Sequence, residues 1–219
     1  MLPSGLIRRE VAEGRNRKEV ILNMTDSQLI REIKEGNLEC YAELIRRYER
    51  KILAFVTHLL RQAHLEHIAE DICQETFYKA FKSIHSFRDV EATFSTWLYT
   101  IARNTVLSEL RKSRNSDVYL EDTLQVPTAS VKNLPEAVLL RNEREHMVRQ
   151  AINNLPEKQR SALILREYEQ LDYNEIAVIL DLTVSSVKSL LFRARQSIKG
   201  QLENYILDAH LDEVEGMNR

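Results

Sequence analysis

The 219-residue sequence has little glycine, proline or cysteine: 5 Gly, 4 Pro and 2 Cys. So few turn-forming residues, among many Leu, Ile, Ala, Glu and Arg, predict an all-α fold. The cysteines, Cys40 and Cys73, are too few for a disulfide framework. Both lie beside apolar positions of helical patterns, which predicts reduced, packed thiols.

Long apolar runs are absent as well. None reaches the roughly 20 residues that span a membrane, and the polar N-terminus has no signal-peptide core. We therefore expect a cytoplasmic protein with no direct membrane insertion. The sequence also has no Gly-rich phosphate loop and no nucleophile–base pattern, so we expect a protein that is not an enzyme and has no cofactor.

The chain has no excess of positive charge. Its net charge is −2 and its pI is about 6.3. This is unusual for a protein that binds DNA unaided, because non-specific affinity comes from neutralising phosphates. If the chain binds DNA, we expect another molecule to supply part of the affinity.

One stretch is nevertheless cationic. Residues 183–200, TVSSVKSLLFRARQSIKG, contain four cations and no carboxylate. If this stretch is a helix, its apolar residues form a stripe on one side. Its polar residues lie on the opposite face, with Phe192 near the centre of that face. A face that contacts another molecule gains from a central Phe, whereas a solubilising face, the alternative interpretation, does not. The apolar stripe consists of Val187, Leu190, Leu191, Ala194 and Ile198.

A second, shorter helix precedes this one. In LDYNEIAVILDLT, Asp172 followed by Glu175 is a capping-box pattern. A tight turn at Asp181 and Leu182 follows, and Thr183 is a suitable N-cap for the cationic helix. This is the order of a helix-turn-helix, whose second helix enters the major groove of DNA.

Periodicity divides the chain into two helical units. We expect a flexible extension at 1–25, a first unit at 26–114 and a linker at 115–135, where the helical pattern is lost. A second helical unit follows at 136–204, and an acidic tail at 205–219.

The first unit carries a polar helix face and an aromatic segment. In EDICQETFYKAFKSIHSF, the spacing predicts one buried side and one polar side, and physical chemistry alone favours a polar side that is simply solvated. In FSTWLYTIARN, aromatic residues beside Arg103 and Asn104 suit stacking on unpaired bases, although the aromatic side chains also suit a core. The predicted buried side consists of Cys73, Thr76, Phe77, Ala80 and Ile84.

Four motifs in order resemble the extracytoplasmic-function group of the sigma-70 family. They are DICQETFYKAFKSIHSF, FSTWLYTIARNTVLSELRK, LPEKQRSALILREYEQLDYNEIAVIL and SSVKSLLFRARQSI, and the resemblance covers residues 26–202. It implies a sigma-two-like and a sigma-four-like domain, core RNA polymerase (β′ clamp and β flap) and promoter DNA as partners, and an anti-sigma factor in a stress response. The polymerase would then supply the missing affinity for DNA.

The resemblance also implies roles for individual residues. Those on the polar helix face would bind polymerase: Asp71, Gln74, Glu75 and Tyr78. Those of the aromatic segment and its preceding loop would bind and help melt the −10 element: Phe87, Phe94, Ser95, Trp97, Tyr99, Arg103 and Asn104. Those on the cationic helix would bind the −35 element: Ser185, Ser186, Lys188, Ser189, Phe192, Arg193 and Arg195.

Two other functions remain as alternatives. A stand-alone helix-turn-helix regulator would need a ligand or dimer domain before the helix-turn-helix, and the aromatic segment and linker fit that poorly. A metal sensor would use His64, His67 and Cys73, but three ligands are too few for a closed zinc site.

Overall fold

The structure is a computed structural model that describes residues 18–90, 92–116 and 136–216, with side chains at 18–90, 92–113 and 145–203. These residues form helices and no strand, as the all-α prediction requires. The α-helices from Asp26 onward are α1 (Asp26–Lys34), α2 (Glu39–Leu60), α3 (Ala69–Ser83), α4 (Phe94–Ser116), α5 (Glu136–Asn153), α6 (Glu157–Glu167), α7 (Tyr173–Leu180) and α8 (Val184–Gly216). Short 3-10 helices occur at Arg61–Ala63, Glu66–Ile68 and Ile84–Ser86.

Helices α1 to α4 pack as the first unit around side chains of the long helices α2 and α4. Leu44, Ile52, Phe55, Leu98 and Ala102 have no exposed surface. The predicted buried side of α3 is confirmed, because all five of its residues are buried.

Both cysteines are buried thiols within the first unit. Burial raises the pKa of the Cys73 thiol to about 11, so this thiol stays protonated at neutral pH. The prediction of reduced, packed thiols is confirmed.

The first unit extends further towards the N-terminus than the expected boundary at residue 26. Residues 18–23 are helical, and Ile21 packs into the core. Arg47 of α2 holds this segment, because its guanidinium donates to the carbonyls of Leu22 and Met24 and to the carboxylate of Asp26. The sequence did not reveal this contact because Arg47 lies more than 20 positions away.

Helices α5 to α8 form the second unit, around Leu155, Ile164, Ile179, Val187 and Leu191. The predicted linker lies outside the described residues, apart from 115 and 116, which end α4. At the other end, α8 continues to Gly216 and so includes most of the expected acidic tail.

The two units pack against each other through α2 with α6 and α4 with α7. Arg160 of α6 is the largest fully buried side chain at this contact, with 1% of its surface exposed. Its guanidinium donates to Gln62 and to the carbonyls of Leu59 and Asn153, so it joins the C-terminal end of α2 to the second unit.

Candidate nucleic-acid and protein interfaces

The polar face predicted on α3 exists and is fully open. Asp71, Gln74, Glu75 and Tyr78 are all exposed, while the opposite side of the helix is buried. Glu75 pairs with Lys79 at 2.8 Å along the helix. The sequence thus placed these four residues on one surface correctly.

An apolar groove of about 670 Å³ lies beside this face, between α2 and α3. Leu53, Phe77 and Phe81 contribute to its walls, and Gln74 and Tyr78 line it from the polar face. The sequence could not show this groove, because α2 and α3 line it together. A surface that combines exposed carboxylates with an apolar groove suits a protein partner better than it suits solvent.

An aromatic cluster fixes the loop between α3 and α4. The Phe87 ring lies 4.9 Å from the Trp97 ring and 6.0 Å from the Phe94 ring, between centroids, and Tyr48 of α2 packs on Phe94 at 5.5 Å. Phe87 and Phe94 are buried and Trp97 is half-buried. Phe87 and Phe94 therefore pack in the hydrophobic core. For Phe94, the sequence had left both a core position and stacking on bases open.

Two polar contacts define the ends of this loop. Lys34 of α1 donates from Nζ to the carbonyl of Phe87 at 2.7 Å. The Thr93 hydroxyl accepts from the amide of Thr96 at 3.2 Å and so caps α4. Between these anchors the loop carries exposed side chains, among them Val90.

The predicted contact residues further along α4 have different environments. Asn104 is exposed and Ser95 is half-buried. Tyr99 and Arg103 are buried and bonded to the second unit: the Tyr99 hydroxyl donates to Glu169, and the Arg103 guanidinium pairs with Glu157 at 3.2 Å. Burial, followed by the bond to Glu169, raises the pKa of Tyr99, so its hydroxyl remains a donor.

The predicted helix-turn-helix is confirmed in its details. Asp172 and Glu175 form the capping box of α7, and Asp181 ends that helix in the left-handed conformation with φ of 53°. Thr183 then accepts from the amide of Ser186 at 3.2 Å, which caps α8 as predicted. The half-buried Ser186 hydroxyl bonds Thr183, so it already has a partner.

The outer face of α8 presents its predicted contact residues to solvent. Phe192, at the centre of this face, is 64% exposed. Arg195 differs from its neighbours because it pairs with Glu167 at 2.7 Å, which raises the pKa of the guanidinium. The other exposed residues of this surface are Ser185, Lys188, Ser189 and Arg193.

An aromatic residue that none of the sequence motifs singled out lies beside this face. Two cations lie over the Tyr173 ring, with Arg166 Cζ 4.9 Å and Lys188 Nζ 5.7 Å from its centroid. Tyr173 stands at the first position of α7. Its place in the sequence, at the start of the helix before the cationic helix, could have indicated that it lies beside this face.

Among the described residues, no three His, Cys, Asp or Glu side chains come together in a way that could hold a metal ion. His64 and His67 are exposed, whereas Cys73 is buried. None of the described helices is both long enough and apolar enough to span a membrane.

Sequence comparison gives matches in both units. Residues 44–116 match the family described as Sigma-70 region 2, and residues 145–198 match Sigma-70, region 4. The RNA polymerase sigma-H factor of Pseudomonas aeruginosa is 37% identical over 191 residues, covering 84% of this chain and 97% of that protein. The ECF RNA polymerase sigma-E factor of Haemophilus influenzae is 35% identical over 187 residues, covering 82% and 96%.

Solved structures give similar results. The sigma factor RpoE of Bartonella quintana, in complex with the anti-sigma factor NepR, has a TM-score of 0.57 and 25% identity, covering 74% of this chain and 96% of that one. CnrH, in complex with the cytosolic domain of CnrY, shares the fold with a TM-score of 0.58 and 20% identity, covering 82% and 97%.

Proposed function

Because the chain belongs to the extracytoplasmic-function sigma factors of the sigma-70 family, we propose that its two helical units contribute separate surfaces to promoter recognition. The protein is a transcription initiation factor, an alternative sigma factor under anti-sigma control. It binds core RNA polymerase, directs it to −35/−10 promoters and helps to melt the −10 region. We propose that it acts in the cytoplasm and catalyses no reaction of its own.

The α3 face is the proposed polymerase-docking surface. Asp71, Gln74 and Glu75 offer acceptors and charge, and Tyr78 borders the apolar groove. We propose that this surface binds the clamp of the polymerase β′ subunit. The matching surface of the clamp would be helical, with basic residues opposite the carboxylates and apolar residues in the groove. The β flap would contact the second unit.

The loop before α4 is the proposed −10 surface. The aromatic cluster of Phe87, Phe94 and Trp97 holds the loop in shape, while Asn104 and Tyr99 would form the wall of a pocket for a flipped base. Capturing an unpaired base offsets an unstacking cost of a few kcal/mol, so strand opening needs no ATP hydrolysis. Ser95 and Arg103 would bind the neighbouring backbone.

The exposed face of α8 is the proposed −35 surface. Lys188 and Ser189 lie in the first turns of the helix, the part of a recognition helix that reaches base edges. Phe192 would pack on a thymine methyl, and Arg193 and Arg195 would bind phosphates.

A single observation supports the proposal most strongly: one chain carries an exposed docking face on α3 and an exposed cationic recognition helix on a separate unit. In-vitro transcription with core polymerase on a genomic DNA library tests it. We expect discrete promoters with paired −35 and −10 elements. Tight sequence-specific binding by the chain alone, without stimulated transcription, would instead favour a stand-alone regulator.

A further inference from the structure

Tyr173 of α7 contacts α8 beside the residues that we propose to read the −35 element, so its role rests on that proposed function. Lys188 Nζ lies 5.7 Å from the centroid of the Tyr173 ring. An ammonium within about 6 Å of an aromatic ring face is attracted by the negative charge of the π electrons. The contact therefore joins the first helix of the helix-turn-helix to a lysine of the second.

The Tyr173 ring has a fixed position in the second unit. It is half-buried and packs against the hydrophobic core. Tyr173 is also the first residue of α7, which the capping box of Asp172 and Glu175 closes. Arg166 of α6 lies against the ring, with Cζ 4.9 Å from the centroid, and its guanidinium donates to the carbonyl of Leu171 at 2.8 Å. The ring thus provides a rigid support for a more mobile side chain.

The Lys188 side chain is one that gains from such support. It is exposed, and a lysine side chain that nothing holds has many rotamers. Binding a base edge with such a side chain costs conformational entropy, and a side chain that is already held loses less. The ring holds the ammonium near the N-terminal end of α8, the part of a recognition helix that reaches bases.

An aromatic ring holds a cation without pairing it with a full negative charge. Arg195, further along α8, pairs with Glu167 at 2.7 Å, so a phosphate must compete with that carboxylate for the guanidinium. A ring attracts through its quadrupole and leaves the positive charge of a lysine in place. An ammonium also has three N–H donors, and those that do not face the ring remain available to acceptors on DNA.

We propose that Tyr173 is a positioning residue for −35 recognition. Its ring holds the Lys188 ammonium at the start of α8 and thereby raises the preference for the native −35 element over other sequences. Tyr173 acts through Lys188, without reading a base itself.

Two variants of Tyr173 separate the ring from its hydroxyl. Tyr173→Leu removes the aromatic face but keeps an apolar side chain against the core, whereas Tyr173→Phe keeps the face. Transcription by each holoenzyme is compared between a promoter found by the transcription experiment and the same promoter with a scrambled −35 element. We expect Tyr173→Leu to lower the native-to-scrambled ratio about two- to fivefold, the effect of one cation–π contact, and Tyr173→Phe to leave it within about 1.5-fold.

Tyr168 provides a matched control in the same unit. Its ring is 54% exposed and lies 5.5 Å from the ring of His58 of α2, between centroids. Tyr168→Leu removes an aromatic side chain while Lys188 keeps its support. We expect the ratio to stay within about 1.5-fold of the wild type.

A double-mutant cycle shows whether Tyr173 acts through Lys188. We expect Tyr173→Leu to lower the ratio no further once Lys188→Ala is present. An equal decrease in both backgrounds would overturn the proposal, because the ring would then act on DNA or on helix packing by itself. A ratio that Tyr173→Leu raises, or that Tyr173→Phe lowers equally, would overturn it as well.

Fluorinated phenylalanines at position 173 test the contact with little change in shape. Successive ring fluorines withdraw negative charge from the ring face, while the side chain keeps its packing against the core. We expect the ratio to fall stepwise with each added fluorine when Lys188 is present, and to stay constant with Lys188→Ala, at an unchanged melting temperature. A constant ratio in both backgrounds would contradict a role for the ring face.

The same measurements separate the positioning role from the proposed function. If Lys188→Ala lowers the ratio and Tyr173→Leu does not, Lys188 reads the −35 element without Tyr173, and only the positioning role fails. If Lys188→Ala leaves the ratio unchanged, or the wild type does not support transcription, the proposed −35 reading fails and the positioning role fails with it.

Discussion

Two lysines of α8 illustrate how position on one helix separates two kinds of DNA contact. Lys188 lies near the N-terminal end of α8 with its ammonium over the Tyr173 ring, whereas Lys199 lies three turns later and pairs with Glu203 at 3.5 Å. The N-terminal end of a recognition helix reaches bases, and the later turns leave the groove. Lys188 should therefore specify sequence, and Lys199 should hold phosphate.

Lys188→Ala should cost about 1–3 kcal/mol on the native −35 element and much less on a scrambled one, while Lys199→Ala should weaken both alike. Transcription from the two templates over a salt series measures this difference. Equal losses for both variants on both templates would mean that α8 binds DNA without reading its sequence.

Arg160 shows how a buried cation can be satisfied without a direct ion pair. Its guanidinium makes three hydrogen bonds, one of them to Gln62, although Nε is buried without a partner among the described residues. Burial lowers the pKa of this guanidinium from its ordinary value, and Glu157 opposes that effect. A smaller side chain at this position would lose all three of these hydrogen bonds.

Arg160→Ala should lower the free energy of unfolding by about 2–3 kcal/mol, because buried acceptors lose their partners. Urea denaturation of the full chain measures the loss. The exposed neighbour Lys158 provides the control: Lys158→Ala should change stability by less than about 0.5 kcal/mol. Similar values for the two variants would show that the buried contacts of Arg160 add no stability.

At the scale of elements, α3 has two sides with different roles. One side packs Ile72, Thr76 and Ala80 into the core, and the other presents Asp71 and Glu75 to solvent. Because only the buried side determines the stability of the helix packing, the exposed side is free to bind a partner. Stability and docking should therefore respond to different substitutions on the same helix.

Asp71→Ala with Glu75→Ala should weaken assembly with core polymerase at least about tenfold, while the melting temperature changes little, since exposed substitutions usually cost under about 0.5 kcal/mol. Equilibrium binding to labelled core polymerase and thermal denaturation measure the two effects. Glu35→Ala with Glu109→Ala removes the same charge away from this face and should leave assembly unchanged. Undiminished assembly of the Asp71/Glu75 variant would show that docking occurs elsewhere.

At the scale of the whole molecule, charge and domain packing both act against DNA binding by the free chain. The net charge is −2, and glutamates of the second unit cover donors of the first. The exposed cations of α8 alone neutralise few phosphates. Polymerase must supply the remaining attraction.

The isolated chain should therefore bind duplex promoter DNA only weakly at physiological salt, with a Kd above about 1 μM, whereas the holoenzyme should bind tightly and open the duplex. Fluorescence anisotropy with labelled promoter DNA, followed by permanganate detection of unpaired thymines, measures both steps. Nanomolar sequence-specific binding by the chain alone would contradict this prediction.

The sequence by itself determined most of the helices, the buried sides of α3 and α8 and the caps of the helix-turn-helix. Periodicity gave the stripe of α8 and the two sides of α3, and Asp172, Glu175 and Thr183 cap the helices that they were predicted to cap. These features depend on residues within three or four positions of each other, so local spacing is sufficient to predict them.

Only the tertiary structure decided which surfaces are open. The contacts of Tyr99 with Glu169 and of Arg103 with Glu157 join residues 70 and 54 positions apart, and the groove beside Tyr78 needs both α2 and α3. Nothing in local spacing shows that an aromatic or a cation on α4 will be covered by a carboxylate of another unit. Such contacts depend on how whole helices pack, which is set by the shared core and not by the pattern of any one segment.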